Sequence, residues 1–156
     1  MICQNEIDEY WMNYALKFAK ENYLNYEIPI GAILILNNKI IGFGTNLSTK
    51  NNDPTAHAEI LALRQGGSYI KNYRLLETTL YVTLEPCIMC LGAIAHSRIK
   101  RLVIGAISKK ILNFQLCKLC KYYKIYDVLF SKVIVKKMVF KKKCSFLLKN
   151  FFKKKR

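Results

Sequence analysis

The sequence predicts an α/β protein, a three-layer α/β/α sandwich with a central mixed sheet. Three observations carry this. Apolar runs of strand length occur at residues 29–36, 78–84 and 101–105. Segments with the three-and-four spacing of a buried helical face precede or separate them. The order is helix, two strands, helix, strand, helix, strand, and such alternation puts helices on both faces of one sheet. A chain of 156 residues fits one domain. It can bury roughly 70% of its unfolded surface, enough for a core without staples.

Each element has a local reason. Residues 6–24 read as a helix, with Trp11, Tyr14, Ala15, Phe18 and Ala19 on its inner face. Asn5 is placed to cap it, and Glu6, Asp8 and Glu9 suit the positive end of its dipole. Pro29 to Leu36 is a continuous apolar run, as in a buried strand. Asn37-Asn38 is a turn signal, and Lys39 to Gly44 returns as the second strand of a hairpin. Residues 46–54 form a polar loop ending in Asp53-Pro54. Ala56 to Gln65 is the next helix, with Ile60, Leu61 and Leu63 available to the core and Gly66-Gly67 as its stop. Thr78 to Leu84 alternates Leu80, Val82 and Leu84 as a strand. Pro86 opens a third helix, because proline fits the first helical position. Arg101 to Gly105 is a short apolar strand. Beyond residue 106 the pattern thins. Val133 to Phe140 reads as an edge strand. Lys141 to Phe152 reads as a closing helix, with Cys144, Leu147, Leu148, Phe151 and Phe152 inward. No internal repeat or Gly/Ser linker divides the chain.

Charge is uneven along the chain. The net charge is +16, from 26 Lys+Arg and 10 Asp+Glu. Residues 1–100 hold 9 basic and 9 acidic residues, a net of zero, whereas residues 101–156 hold 17 basic residues and Asp127 alone as an acid. An excess so placed points to a polyanionic partner, nucleic acid or an anionic membrane surface. The bland alternative is compositional bias toward lysine, since Lys outnumbers Arg 21 to 5. The acidic N-terminus, Met1 to Glu9, does not read as a secretory signal. No stretch has the roughly 18 uninterrupted apolar residues of a membrane span. Six cysteines in that setting read as reduced thiols or metal ligands, and the expected location is the cytoplasm.

Two segments carry chemistry: Pro54-Thr55-Ala56-His57-Ala58-Glu59 and Glu85-Pro86-Cys87-Ile88-Met89-Cys90. Cys87 and Cys90, three apart on a helix, project to the same side. In a first turn the helix dipole favours their thiolates. Two thiolates and the His57 imidazole make a zinc set with the fourth tetrahedral position open to water, the catalytic arrangement. Zinc lowers the pKa of such a water from about 15.7 towards 7. Glu59, two residues from His57, is assigned to proton transfer and not to the metal. A structural zinc that only braces the fold would need a fourth protein ligand, which Cys117 or Cys120 offers in principle. Cys117 and Cys120 otherwise read as a second half-site, a redox pair, or two small buried hydrophobes, the last being favoured because no ligands remain to complete a second site. His96 reads as the end of the Cys87 helix and not as a ligand.

His-x-Glu with Pro-Cys-x-x-Cys is the signature of zinc nucleobase deaminases. With it stand Glu9-Tyr10-Trp11-Met12, Ile28-Pro29-Ile30-Gly31-Ala32, Leu63-Arg64-Gln65-Gly66-Gly67, Asn72-Tyr73-Arg74-Leu75 and His96-Ser97-Arg98-Ile99. On these segments, over residues 9 to about 105, the chain resembles the bacterial tRNA-specific adenosine deaminase family. The resemblance implies a cytidine-deaminase-like fold and a homodimer. It also implies a single zinc-dependent deaminase domain over residues 1–156 with a basic C-terminal segment, 106–156. The implied reaction is adenosine to inosine at the wobble position (position 34) of the tRNA anticodon stem-loop. The implied zinc ligands, one ion per subunit, are His57, Cys87 and Cys90. The implied proton shuttle is Glu59, and Asn46 matches a position that hydrogen-bonds the substrate nucleoside. The chain departs after Gly105-Ala106, where Ile107-Ser108-Lys109-Lys110-Ile111-Leu112-Asn113 replaces the family's polar, glycine-containing loop with its acid. Two other readings share the metal chemistry. One is a deaminase of free guanine, cytosine or cytidine. The other is a non-catalytic, zinc-braced RNA-binding subunit, which would leave Glu59 without a purpose.

Overall fold

The structure is a computed structural model and describes residues 3–107 and 132–154. Cys117, Cys120, positions 108–113 of the altered loop, Lys155 and Arg156 lie outside the described residues. Helix α1 spans Gln4–Leu24, and Cys3, not Asn5, is its N-cap. Glu6 turns back to accept the Cys3 N–H at 2.7 Å, which satisfies the exposed end two residues earlier than an Asn5 cap would. Asn5 instead lies inside the helix, where its side-chain oxygen accepts from Lys136 Nζ at 3.2 Å. Trp11, Ala15 and Ala19 are buried as expected, joined by Met12 and Leu16, while Tyr14 is exposed and Phe18 half-buried. The buried stripe is rotated because it includes two polar residues, Asp8 and Asn22.

Strands β1 (Gly31–Leu36) and β2 (Lys39–Thr45) form the antiparallel hairpin. Asn37 and Asn38 have φ of 49° and 57°, the left-handed pair that a type I′ turn requires. Helix α2 spans Ala58–Ile70 and runs through Gly66-Gly67 to a left-handed Lys71 cap. Gly66 therefore does not stop the helix. It makes room for β1, since a Cβ there would strike Leu34 Cδ2. Next come β3 (Thr79–Leu84), α3 (Ile88–Ser97) and β4 (Arg101–Ala106). Helix α3 begins after Cys87, so Pro86 precedes the cap and does not open the helix. Strand β5 (Ile134–Lys136) is shorter than expected, and helix α4 covers Lys141–Lys154.

The sheet order is β2-β1-β3-β4-β5. Pairings β2–β1 and β1–β3 are antiparallel, and β3–β4 and β4–β5 are parallel, so the sheet is mixed. One face packs Ile33, Ile35, Tyr81 and Val103 against α1 and Cys144 of α4. The other packs Ala32, Leu34, Leu80, Val82, Leu102 and Ile104 against α2 and Ile94 of α3. The expected three-layer α/β/α sandwich with a mixed sheet is what the chain adopts. On α4, Cys144 and Phe151 are buried, Leu147 and Leu148 half-buried, and Phe152 is 49% exposed. One helical step past Phe151 turns Phe152 onto the flank, away from the sheet.

Asp8 is more than a dipole charge. It is buried and receives Arg101 Nη1 and Nη2, one on each oxygen, at 2.9 Å, with Tyr81 Oη at 2.9 Å and Gln4 Nε2 at 3.1 Å. Burial alone would raise the Asp8 carboxyl, but the donors from Arg101, Tyr81 and Gln4 outweigh it and hold the carboxyl below its ordinary value. A lowered folded-state value contributes stability that is complete above the unfolded-chain pKa of about 3.9 and is lost as pH falls through the folded value. Arg101→Met should therefore cost about 3 kcal/mol in urea unfolding at pH 7. The gap from the unsubstituted protein should narrow as pH falls below about 4 and close only below the lowered folded-state value, where Asp8 is protonated in both.

Candidate metal centre

The centre is built from two helix starts. His57 is the N-cap of α2 and Cys87 the N-cap of α3, each with extended backbone. The spacing predicts both inside a first helical turn; each instead lies one residue before it, at the cap. Cys90 follows in that first turn of α3 and is fully buried. The approach of α2 is set by β2, where a Cβ on Gly44 would run into the Ala58 carbonyl oxygen. The loop before α2 is pinned by Leu47 N–H to Ala56 O at 2.9 Å, and by Asp53, which accepts both Thr55 N–H and Thr55 Oγ1 at 2.7 Å.

These starts bring three donor atoms together. Cys87 Sγ lies 3.5 Å from His57 Nδ1, Cys90 Sγ lies 3.6 Å from it, and the two sulfurs are 3.7 Å apart. Zinc bonds of about 2.3 Å to sulfur and 2.0–2.1 Å to nitrogen, in tetrahedral geometry, set S···S near ~3.8 Å and S···N near ~3.6 Å. The triangle therefore fits a zinc ion on three protein ligands. Among the described residues it is the one cluster of three such ligands that could hold a metal. A Cys90 hydrogen bond to the Cys87 thiolate leads the effects that bring Cys87 down to about 5, aided by the backbone N–H of Cys90, His57 and the Met89 N–H. The same bond, with burial, pushes Cys90 up.

Glu59 is 4% exposed and turns toward the same centre, with Cys87, Cys90 and His57 as its electrostatic neighbours. Burial, aided by the nearby Cys87 thiolate, raises its carboxyl to about 7 against the lowering effects of its own backbone N–H, His57 and a hydrogen bond with Cys90. A group poised there holds or releases a proton near neutral pH. Asn46 is buried directly after β2, beside Leu47, whose N–H holds the chain one residue before His57. His96 lies exposed in the last turn of α3, outside the cluster, as expected.

Some neighbours escaped the sequence reading. Glu85 is buried two residues before Cys87, and Lys137 Nζ reaches its Oε1 at 3.4 Å. Asn22, in the last turn of α1, holds the Asn46 carbonyl, and Glu27, just beyond that helix, holds the Lys50 N–H. Only an internal carboxamide and a carboxylate beside the Tyr26 turn hint at this, and neither has a motif.

Residues 5–106 match the family described as the cytidine and deoxycytidylate deaminase zinc-binding region. A tRNA-specific adenosine deaminase of Buchnera aphidicola subsp. Baizongia pistaciae is 53% identical over 152 residues, covering 97% of this chain and 92% of that protein. The chain belongs to the tRNA-specific adenosine deaminase family. Among solved structures, one from work on A-to-I editing by tRNA:A34 deaminases at the wobble position is 42% identical. It covers 65% of this chain and 78% of that chain, with a TM-score of 0.63. A guanine deaminase from Bacillus subtilis is 35% identical and covers 73% of each chain, with a TM-score of 0.62. No helix among the described residues is long and apolar enough to cross a membrane.

The dependence of the centre on helix placement can be measured. Gly44→Val pushes α2 off β2 and moves His57, so the purified variant should retain less than about half the zinc of the unsubstituted protein. Metal content per chain, read by a colorimetric chelator assay, checks this.

Proposed function

We propose that this chain is a zinc-dependent hydrolase that converts wobble adenosine (position 34) of a tRNA anticodon to inosine. The observation that carries the reading is the triangle of His57, Cys87 and Cys90 with buried Glu59 beside it. The close kinship with tRNA-specific adenosine deaminases supplies the substrate. His57 Nδ1, Cys87 Sγ and Cys90 Sγ are the three protein ligands of one zinc per subunit. Bound zinc supplies the Lewis acidity that lets water react near neutral pH. Glu59 takes one proton from the water and passes it to adenine N1 as the water oxygen bonds to C6, then moves the second, from the new C6 hydroxyl, to the amine, so the C6–N bond breaks, ammonia leaves and inosine remains. Asn46 hydrogen-bonds the nucleoside. The adenine must leave its stack to reach the centre, because its C6 is otherwise inaccessible.

The partner is the tRNA anticodon stem-loop, and the enzyme is a cytoplasmic homodimer with no membrane association. The chain acts as a single zinc-dependent deaminase domain over residues 1–156, with a basic C-terminal segment, 106–156. The lysines of that segment serve the phosphate backbone, since neutralising phosphates dominates affinity for nucleic acid. Free-base deamination, the reading closest to the Bacillus subtilis likeness, gives no purpose to that charge.

Incubation with a tRNA carrying wobble adenosine, followed by cDNA sequencing, should read guanosine at position 34. Release of ammonia from free guanine or cytidine, with no change in the tRNA, would refute the assignment. Glu59→Ala should lose about a thousandfold or more in rate while keeping its zinc. Activity that survives that change rules out Glu59 as the shuttle.

Neutralising Lys153, Lys154, Lys155 and Arg156 should weaken tRNA binding. It should also reduce the slope of log K against log salt by up to about 3. An unchanged slope assigns the charge to composition alone.

A further inference from the structure

We propose that Glu27 is a positioning residue that holds Asn46 against the substrate nucleoside. This rests on the reading of Asn46 given above. Helix α1 ends at Leu24, and Tyr26, with φ of 60°, turns the chain so that Glu27 points inward. Glu27 is 5% exposed, and its Oε1 accepts the Lys50 N–H at 2.6 Å. Its own N–H donates to Asn22 O at 3.3 Å. Asn22 Nδ2 donates to Ile28 O at 2.8 Å and to Asn46 O at 2.9 Å. Residues 46–50 are thus clamped at both ends by two buried polar side chains from one turn. Their outer side is tied by Asn46 N–H to Ile30 O at 3.3 Å and Leu47 N–H to Ala56 O at 2.9 Å.

The second oxygen of Glu27 is the telling detail. Glu27 Oε2 and Ser48 Oγ are buried with no hydrogen-bond partner among the described residues. A buried carboxylate is a costly choice for stability, and an apolar side chain would fill the space at lower cost. What Glu27 adds that an apolar residue cannot is the acceptor for Lys50 N–H, which fixes the path of the chain that carries Asn46. Its presence is explained by the geometry of that loop.

The test uses the full-length zinc enzyme and four variants: Glu27→Leu, Glu27→Gln, Asn46→Ala and Glu27→Leu with Asn46→Ala. Glu27→Leu should keep its zinc and fold and lose about tenfold in kcat/KM on wobble-adenosine tRNA, as expected for one lost charge-assisted hydrogen bond. Glu27→Gln keeps an acceptor oxygen and should recover to within about threefold. On the Asn46→Ala background, Glu27→Leu should cost less than about twofold, because residues that act through one another are not additive. A full tenfold loss on that background, or a glutamine variant no better than leucine, overturns the proposal. Amide hydrogen exchange at Lys50 should quicken by about tenfold in Glu27→Leu without any substrate. Unchanged exchange overturns the clamp whether or not tRNA is deaminated, which separates its failure from failure of the functional reading.

Discussion

His57 and Cys87 leave their loops with nearly the same backbone, φ −80° and ψ 154° for one, φ −73° and ψ 171° for the other. An N-cap residue has not yet entered the helix, so its side chain folds across the helix end and not along the flank. Two caps that face each other can therefore meet, where two residues deep inside neighbouring helices would be held a helix diameter apart. The helix starts also present unsatisfied N–H groups and the positive ends of their dipoles, which favour thiolate at Cys87 and so favour a divalent cation. Everything else in the fold serves to aim these two ends at one point.

The sheet does the aiming. Strand β1 pairs antiparallel with both β2 and β3, so β3 can run parallel to β4 while the hairpin turns back. Helix α3 then starts beyond the carboxyl end of β3, and α2 starts beyond the end of β2. Close packing sets the remaining height, because Gly44 and Gly66 let α2 lie directly on the hairpin. Across the sheet, Asp8 and Arg101 tie α1 to β4 in a buried, bidentate pair. Such a pair contributes modestly to net stability but fixes one register, since removing either partner strands the other charge.

How much of this was legible follows from range. The candidate centre was readable because it depends on residue type over a few positions: His57, Cys87 and Cys90 come together in the fold, with Glu59 buried beside them. The strands were readable because their apolar runs were short and bounded by turn residues such as Asn37 and Asn38. The helix boundaries were not, since a cap is a matter of one residue's φ and ψ. Cys3 took the place of Asn5 because Glu6 could reach back to it. Gly66-Gly67 read as a stop, although a glycine can also be there for space. The Asp8–Arg101 and Glu27–Lys50 contacts join residues far apart in sequence, and no periodicity reports them. The apolar spacing of α1 found Trp11, Ala15 and Ala19 but put Tyr14 and Phe18 inward and missed Asp8 and Asn22, which are buried against partners elsewhere in the chain.

The basic block changes meaning once its attachment is seen. Lysines on a loose tail would raise the local concentration of a polyanion and do little to orient it. Here the described part of the block is built into the sandwich. Strand β5 extends the sheet beside β4, and Cys144 of α4 packs where a Cβ on Gly105 would otherwise stand. Lys137 reaches the buried Glu85, two residues before Cys87. The cations on this scaffold therefore keep a fixed relation to the metal centre. For a macromolecular substrate that relation matters, because phosphate contacts set register while the pocket reads one base. A charge that is rigidly mounted can both gather a polyanion and orient it.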